Sequence, residues 1–164
     1  MRRLILMRHA KSDWSQGTSD HDRPLNRRGR GAAEALGNWL QTKRLVPDAV
    51  LCSTAARTRE TCLLLDLPKS SAVAHLRDLY LAEPDAIIAT LRRRAEGNTV
   101  LLVAHNPGIA TAAAVLLQQE PQEDAFRRYP SGATTVIDFD IDSWADLARG
   151  TGTLHAFTVP KQLV

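Results

Sequence analysis

The sequence predicts an α/β fold, a three-layer α/β/α sandwich around a mostly parallel sheet. Two observations predict this class: short apolar runs recur along the chain, and segments with helical start and stop signals separate them. No linker, repeat or low-complexity tract divides the 164 residues. We therefore expect one domain over residues 1–164, long enough to bury a sizeable core.

The chain begins with a predicted strand, a loop and a helix. Residues 4–7 form a short apolar run that is typical of a buried strand. The polar stretch 11–23 predicts a loop. Asn26 can then cap a helix that runs to about residue 43.

The rest of the chain continues the alternation. Apolar runs predict strands over residues 49–52, 72–76 and 100–104, and helix signals predict helices over 53–65, 84–95 and 108–117. Ser53 or Thr54 can cap the first of these helices, and Pro84 opens the second. Two late strands, 134–139 and 153–159, have no clear helical pattern between them. Part of the sheet is therefore expected to be antiparallel.

Composition limits the classes of function. The apolar content of 44% is that of an ordinary globular protein, and the net charge of +3 is too small to indicate nucleic-acid binding. No run approaches the ~18 apolar residues of a membrane helix, and the first apolar run is too short for a signal peptide. Cys52 and Cys62 show no zinc-binding spacing. We expect a cytoplasmic protein without a membrane or nucleic-acid partner, and no feature predicts its oligomeric state.

Basic and imidazole side chains follow three of the predicted strands. Arg8 and His9 end the first strand, and His105 ends the strand 100–104. Arg57 lies in the first turn of the helix after strand 49–52. Because ligands of open α/β sheets bind beyond the carboxyl ends of the strands, we expect these four side chains to share one crevice.

Such a group suits phosphoryl transfer. A neutral histidine can act as the nucleophile, and the planar fork of arginine can bind phosphate oxygens. Arg57 lies at a helix start, where the macrodipole disfavours a cation, so a bound anion is expected there. Since the arginines can neutralise the phosphate charge, we predict neither a metal nor a cofactor.

Three segments in this order resemble the histidine phosphatase superfamily: Leu-Met-Arg-His-Ala-Lys-Ser at 6–12, the stretch 53–61, and Val-Ala-His-Asn-Pro-Gly at 103–108. Arg23-Pro-Leu followed by Gly29 is similar to its SixA-type phosphohistidine phosphatase branch. The resemblance implies a phosphoglycerate mutase-like fold and a phosphorylated His9, with Arg8, Arg57 and His105 around it. The superfamily motif is Arg-His-Gly, so Ala10 requires a backbone that accommodates a Cβ.

The resemblance also implies a general acid. Relatives often carry one in a Leu-x-Glu segment after the third strand, and the matching segment here ends in Asp78. A surface role for Asp78 is equally open. Asp20 and Asp22 in the first loop are alternative candidates. A phosphohistidine leaving group is labile and needs an acid less than an alcohol does.

Four further side chains are candidates for substrate contact. Arg23 either reaches the phosphate or pairs with Asp20 or Asp22. Lys11 and Ser12 follow the nucleophile directly, and Asn106 follows His105.

The chain between Tyr80 and Thr99 is short, about 18 residues, and provides little material for a lid. An open pocket suits a phosphorylated protein side chain, so the first hypothesis is hydrolysis of phosphohistidine on a partner protein. Two alternatives stay open: a phosphatase for a small phosphate ester or diphosphate, and a module that binds phosphate without turnover.

Overall fold

The computed structural model describes residues 1–163. Its strands are β1 (Arg2–Arg8), β2 (Ala49–Ser53), β3 (Ala72–Leu76), β4 (Thr99–Ala104), β5 (Thr134–Phe139) and β6 (Thr153–Thr158). Its helices are α1 (Arg27–Thr42), α2 (Ala56–Leu64), α3 (Pro84–Arg94), α4 (Gly108–Leu116) and α5 (Asp124–Arg128). Single turns of 3₁₀ helix occur at Arg77–Leu79, Trp144–Asp146 and Pro160–Gln162.

The six strands form one sheet in the order β3-β2-β4-β1-β5-β6. The first four of these strands pair in parallel. Strand β5 runs antiparallel to β1, and β6 runs antiparallel to β5. The predicted mostly parallel sheet with an antiparallel part is confirmed.

Alternate residues of the central strands face opposite sides of the sheet, as the period of a strand requires. Ile5 and Met7 pack in one core cluster with residues of α1 and α2, such as Leu36. Leu4 and Leu6 pack in a second cluster with residues of α3 and α4. The sheet therefore has a helical layer on each face, which confirms the predicted three-layer sandwich.

Helix α1 fixes the loop that follows β1. Asn26 caps the helix as predicted, because its side chain accepts a hydrogen bond of 2.8 Å from the backbone N–H of Gly29. The N–H of Asn26 donates to the carbonyl of Lys11 at 3.0 Å. A Cβ on Gly29 would lie 2.0 Å from that same carbonyl oxygen, so only glycine permits this approach. The loop after β1 is therefore held directly against the helix.

Two local features differ from the sequence prediction. Helix α2 begins after Ala55 without a side-chain cap, whereas Ser53 or Thr54 was the expected cap. The Ser53 hydroxyl is used instead to contact His105. The short helix α5 was not predicted, because five residues give too little periodicity to detect.

None of the helices within residues 1–163 combines the length and the apolar character needed to cross a membrane.

Candidate active site

A cavity of about 310 Å³ opens at the carboxyl edge of β1, β2 and β4. The structure brings the four strand-end side chains Arg8, His9, Arg57 and His105 together in this cavity. We call these four residues the pocket floor. The remaining lining residues are Lys11, Ser12, Trp14, Asp20, Arg23, Leu81, Asn106 and Ser131.

His9 is held as a neutral ring with one free lone pair. Its Nδ1 lies 2.7 Å from the carbonyl oxygen of Ala10, and because a carbonyl can only accept, Nδ1 carries the proton. Nε2 is therefore the unprotonated nitrogen. Burial and, to a smaller extent, the nearby arginines lower the pKa of His9 to about 3, although the Ala10 hydrogen bond opposes the change. At neutral pH the ring can act as a nucleophile.

His105 lies beside His9, with 5.3 Å between the ring centroids. Its Nε2 is 2.7 Å from the hydroxyl of Ser53, while its buried Nδ1 has no hydrogen-bond partner. Burial, followed by His9 and Arg57, lowers the pKa of His105 to about 3. When Ser53 donates to Nε2, the single ring proton lies on Nδ1, and Nδ1 is then a free donor.

The arginines of the cavity have unused donors. Arg8, Arg23 and Arg57 each have a buried Nε–H without a hydrogen-bond partner. One outer nitrogen of Arg8 is anchored, since it donates to the carbonyl of Tyr129 at 3.0 Å. An unpaired buried donor costs about 1–3 kcal/mol. These three donors, with Nδ1 of His105 as a fourth when Ser53 donates to Nε2, favour a ligand with several acceptor oxygens.

Asp20 is the counter-ion of this site. Its carboxylate accepts from the hydroxyl of Tyr80 and from Arg23 and Arg57, the latter two at 3.1 Å. The Tyr80 hydrogen bond, with those to the two arginines, holds the pKa of Asp20 well below its usual range. It is the one carboxyl group that lines the cavity within residues 1–163, and it is ionised at neutral pH.

The predicted placement of Asp78 at the site is wrong. The turn Arg77–Leu79 buries Leu79 completely and directs Asp78 outwards. The Asp78 side chain is 79% exposed and lies 3.9 Å from Arg93. Asp22, the other alternative, is also exposed and lies outside the cavity, 3.6 Å from His21. Of the three candidate acids, the structure brings only Asp20 to the site.

The four candidate substrate contacts all line the cavity. Arg23 combines both expected roles, because it pairs with Asp20 and also borders the cavity. It donates a short hydrogen bond to the hydroxyl of Ser12. The amide N–H of Asn106 donates to the Tyr129 carbonyl at 2.9 Å, so its unpaired Oδ1 offers the substrate an acceptor. Lys11 is exposed at the cavity and adds a positive charge.

Ala10 fits without strain. Its methyl group is buried in a small cluster with Leu25 and Ala33. Its N–H donates to the hydroxyl of Thr61 at 3.0 Å. The backbone at this position accommodates a Cβ, as the departure from the Arg-His-Gly motif requires.

Sequence reasoning missed several residues of the site. Ser53 was interpreted as a helix cap, although its position at the end of β2 could have marked it as a strand-end contact to His105. Tyr80, Trp14 and Leu81 carried no signal, because each is a single side chain in an irregular segment.

Comparisons with known proteins assign this site to a class. The family model of the histidine phosphatase superfamily (branch 1) matches residues 4–80. An uncharacterized protein of Mycobacterium tuberculosis is 35% identical over 161 residues, which span 94% of this chain and 100% of that protein. The chain belongs to the histidine phosphatase superfamily, and with its SixA-type neighbours this makes it a metal-independent phosphatase.

Similar solved structures indicate which branch of the superfamily the chain resembles. A protein of Nakamurella multipartitia provisionally named phosphohistidine phosphatase SixA is 33% identical, with a TM-score of 0.84 over 97% of this chain and 96% of that one. A protein of Agrobacterium tumefaciens with the same provisional name is 27% identical, with a TM-score of 0.79 over 97% and 98% of the two chains. These matches confirm the SixA-type resemblance and the phosphoglycerate mutase-like fold.

Proposed function

We propose that this phosphatase hydrolyses phosphohistidine on a partner protein through a phosphorylated His9. The observation that carries the proposal is the neutral His9 ring, whose Nδ1–H is bound to the Ala10 carbonyl and whose Nε2 is free. It lies among three arginines with unused donors, which is the environment a phosphoryl group requires.

The first step transfers the phosphoryl group to the enzyme. Nε2 of His9 attacks phosphorus, and the bond from phosphorus to the substrate nitrogen breaks with its electron pair going to that nitrogen. Arg8, Arg57 and Nδ1–H of His105 bind the equatorial oxygens as charge develops on them. A substrate imidazole that carries a proton on its other nitrogen leaves as a neutral ring.

The second step regenerates the enzyme. Water attacks phosphorus, the bond from phosphorus to Nε2 breaks, and His9 returns to the neutral Nδ1–H form. Both water protons leave with the product as dihydrogen phosphate, so His9 ends in the protonation state in which it began. Arg8 and Arg57 stabilise this transition state as they do the first.

The state of Asp20 favours a phosphohistidine over an alcohol ester. An alcohol leaves as an alkoxide unless an acid protonates it, and the carboxyl group of Asp20 is ionised. An imidazole that already carries a proton on its other nitrogen leaves as a neutral ring and needs no such acid. The accessible pocket agrees with a protein side chain as substrate, since Leu81 is the one residue between Tyr80 and Thr99 that borders it in the described chain.

The first test compares substrates. Steady-state kcat/KM is measured on a phosphohistidine-containing protein and on a panel with phosphoserine, 3-phosphoglycerate, a nucleoside monophosphate and a diphosphate. We expect the phosphohistidine protein to have the highest kcat/KM. A higher value for any metabolite overturns the protein substrate and supports the small-molecule alternative.

The second test examines the intermediate. We expect acid-labile ³²P on the wild type after rapid denaturation and none on His9→Ala, with turnover at least about 10³-fold lower in the variant. His75→Ala, which changes an exposed histidine outside the cavity, serves as the matched control and should retain the label. Absence of both label and turnover in the wild type would support the binding-module alternative.

A further inference from the structure

We propose that Trp14 and Leu81 bind the imidazole ring of the phosphohistidine while the pocket floor binds its phosphoryl group; this inference rests on the function proposed above. We call these two residues the apolar rim. Both line the cavity, yet Trp14 is 78% exposed and Leu81 is 54% exposed. The other exposed large apolar side chains, Met1, Val46, Leu63 and Val73, lie outside the cavity, whereas these two meet at it and point to a ligand.

Trp14 is held in position by a fixed group. The guanidinium carbon of Arg23 lies 3.6 Å from the centroid of the indole ring. Arg23 is itself buried and bound to Asp20 and Ser12. The indole therefore rests on a rigid cation and presents its remaining surface to solvent and to the cavity.

Leu81 is held in a conformation that leucine disfavours. Its φ is +51°, in the left-handed region where glycine is usual. The next residue, Ala82, is packed against the start of α4, since a Cβ on Gly108 would lie 1.8 Å from the Ala82 carbonyl oxygen. Arg44 and Asp66 are exposed with a similar φ just after α1 and α2, but Leu81 is the one of the three that borders the cavity, where strain of this kind points to a function.

The contrast between the charged floor and the apolar rim of the cavity indicates which leaving group fits. Its floor offers charged donors that suit a phosphoryl group, and its volume of about 310 Å³ leaves room for one small ring beside that group. Outside the floor, the indole of Trp14 and the side chain of Leu81 are the two apolar surfaces of the cavity, among polar lining residues. A flat ring of low polarity packs well on these two apolar surfaces.

The test separates the ring from the phosphoryl group. Phosphoramidate contains the same P–N bond as phosphohistidine but has ammonia as its leaving group. We expect Trp14→Ala to lower kcat/KM for a phosphohistidine peptide by up to about tenfold, the size of one aromatic contact, and to leave that for phosphoramidate nearly unchanged. Trp14→Phe should restore most of the loss. Leu63→Ala, which removes another exposed apolar side chain outside the cavity, is the matched control.

Leu81→Gly gives an independent readout. Glycine suits a φ of +51°, so the melting temperature should rise while kcat/KM falls for the phosphohistidine peptide alone. A leucine with a purely structural role would lower the melting temperature and affect both substrates equally.

Failure of the apolar rim can be distinguished from failure of the proposed function. If the wild type hydrolyses the peptide but both variants lose activity equally on the two substrates, or lose none, the apolar rim is disproved and the proposed function stands. If the wild type hydrolyses phosphoramidate but not the peptide, both the phosphohistidine substrate and the rim are disproved.

Discussion

The pocket floor and the apolar rim face the same cavity but are held in different ways. Floor residues lie at the ends of β1 and β4 or in the first turn of α2, and their side chains are largely buried. The rim residues lie in loops after β1 and β3 and are exposed. Under the proposed function, this difference means that phosphoryl chemistry depends on the rigid sheet, while the choice of leaving group depends on loops that can vary without disturbing the sheet.

The largest effect is expected for loss of an arginine in the floor. Arg57→Ala should lower kcat/KM by about 10³-fold, because an arginine that neutralises a transferring phosphoryl group contributes this much. Vanadate binding, measured by calorimetry, should weaken with it. Arg59→Ala removes an exposed arginine two residues along α2 and is the matched control. Equal behaviour of the two variants would remove Arg57 from the floor.

The next effect is on stability. It involves the pocket floor and not the apolar rim, because neither rim residue titrates. His9 and His105 have pKa values of about 3 in the folded protein, below the 6.5 of the unfolded chain. The unfolded state therefore binds more protons. The stability that these two histidines contribute is complete above pH 6.5 and is lost as the pH falls towards 3. When the pH falls from 7 to 5, each of these histidines should lower the free energy of unfolding by about 2 kcal/mol.

Urea denaturation at both pH values checks this expectation. The fall in the free energy of unfolding should be about 2 kcal/mol smaller in His105→Asn than in the wild type. Arg59→Ala, which removes no titrating group in this range, serves as the control. Parallel falls in all three proteins would show that His105 does not stay neutral in the fold.

A smaller effect is expected when the support of the floor is removed. Ser53→Ala deletes the hydroxyl that binds Nε2 of His105, so the ring loses the partner that sets its proton position. We expect kcat to fall about tenfold, equivalent to one hydrogen bond of about 1.4 kcal/mol. Ser71→Ala removes a buried hydroxyl that donates to the Pro47 carbonyl, far along the chain, and should leave kcat unchanged. A kcat retained by Ser53→Ala would contradict this role.

The smallest effect is expected at Ala10, next to the nucleophile but with its side chain directed into a core cluster. Ala10→Gly restores the superfamily's Arg-His-Gly motif while it removes a buried methyl group. We expect kcat to be unchanged and stability to fall by about 1 kcal/mol, from added chain entropy and lost burial. Thermal unfolding and steady-state assays check the two parts, and a large loss of kcat would show that the methyl group positions His9.

The floor could be predicted from the sequence for a physical reason. Apolar runs mark strands, and the carboxyl ends of parallel strands meet at one edge of the sheet. A polar residue directly after such a run therefore lies at that edge. Arg8, His9 and His105 are all of this kind. Arg57 needed one further step, the start of the helix after β2.

The rest depended on single turns that leave little trace in a sequence. The 3₁₀ turn after β3 buries Leu79 and turns Asp78 away from the cavity, and a change of one residue in its length would alter which side chain faces inwards. The position of Asp20 depends on hydrogen bonds to two residues far along the chain, Arg57 and Tyr80, besides the nearby Arg23. Neither effect has a periodicity that a sequence pattern can reveal.

The hydrogen bond from Nδ1 of His9 to the Ala10 carbonyl has a consequence for regiochemistry. With that nitrogen committed to a backbone acceptor, we expect the proposed adduct on His9 to form as the tele isomer of phosphohistidine and not the pros isomer. Nitrogen-15 NMR of the trapped protein, or an isomer-selective antibody, should detect one species alone. The same fixed ring orientation presents a single lone pair to every incoming phosphorus atom, so a donor of either isomer must approach His9 along one line.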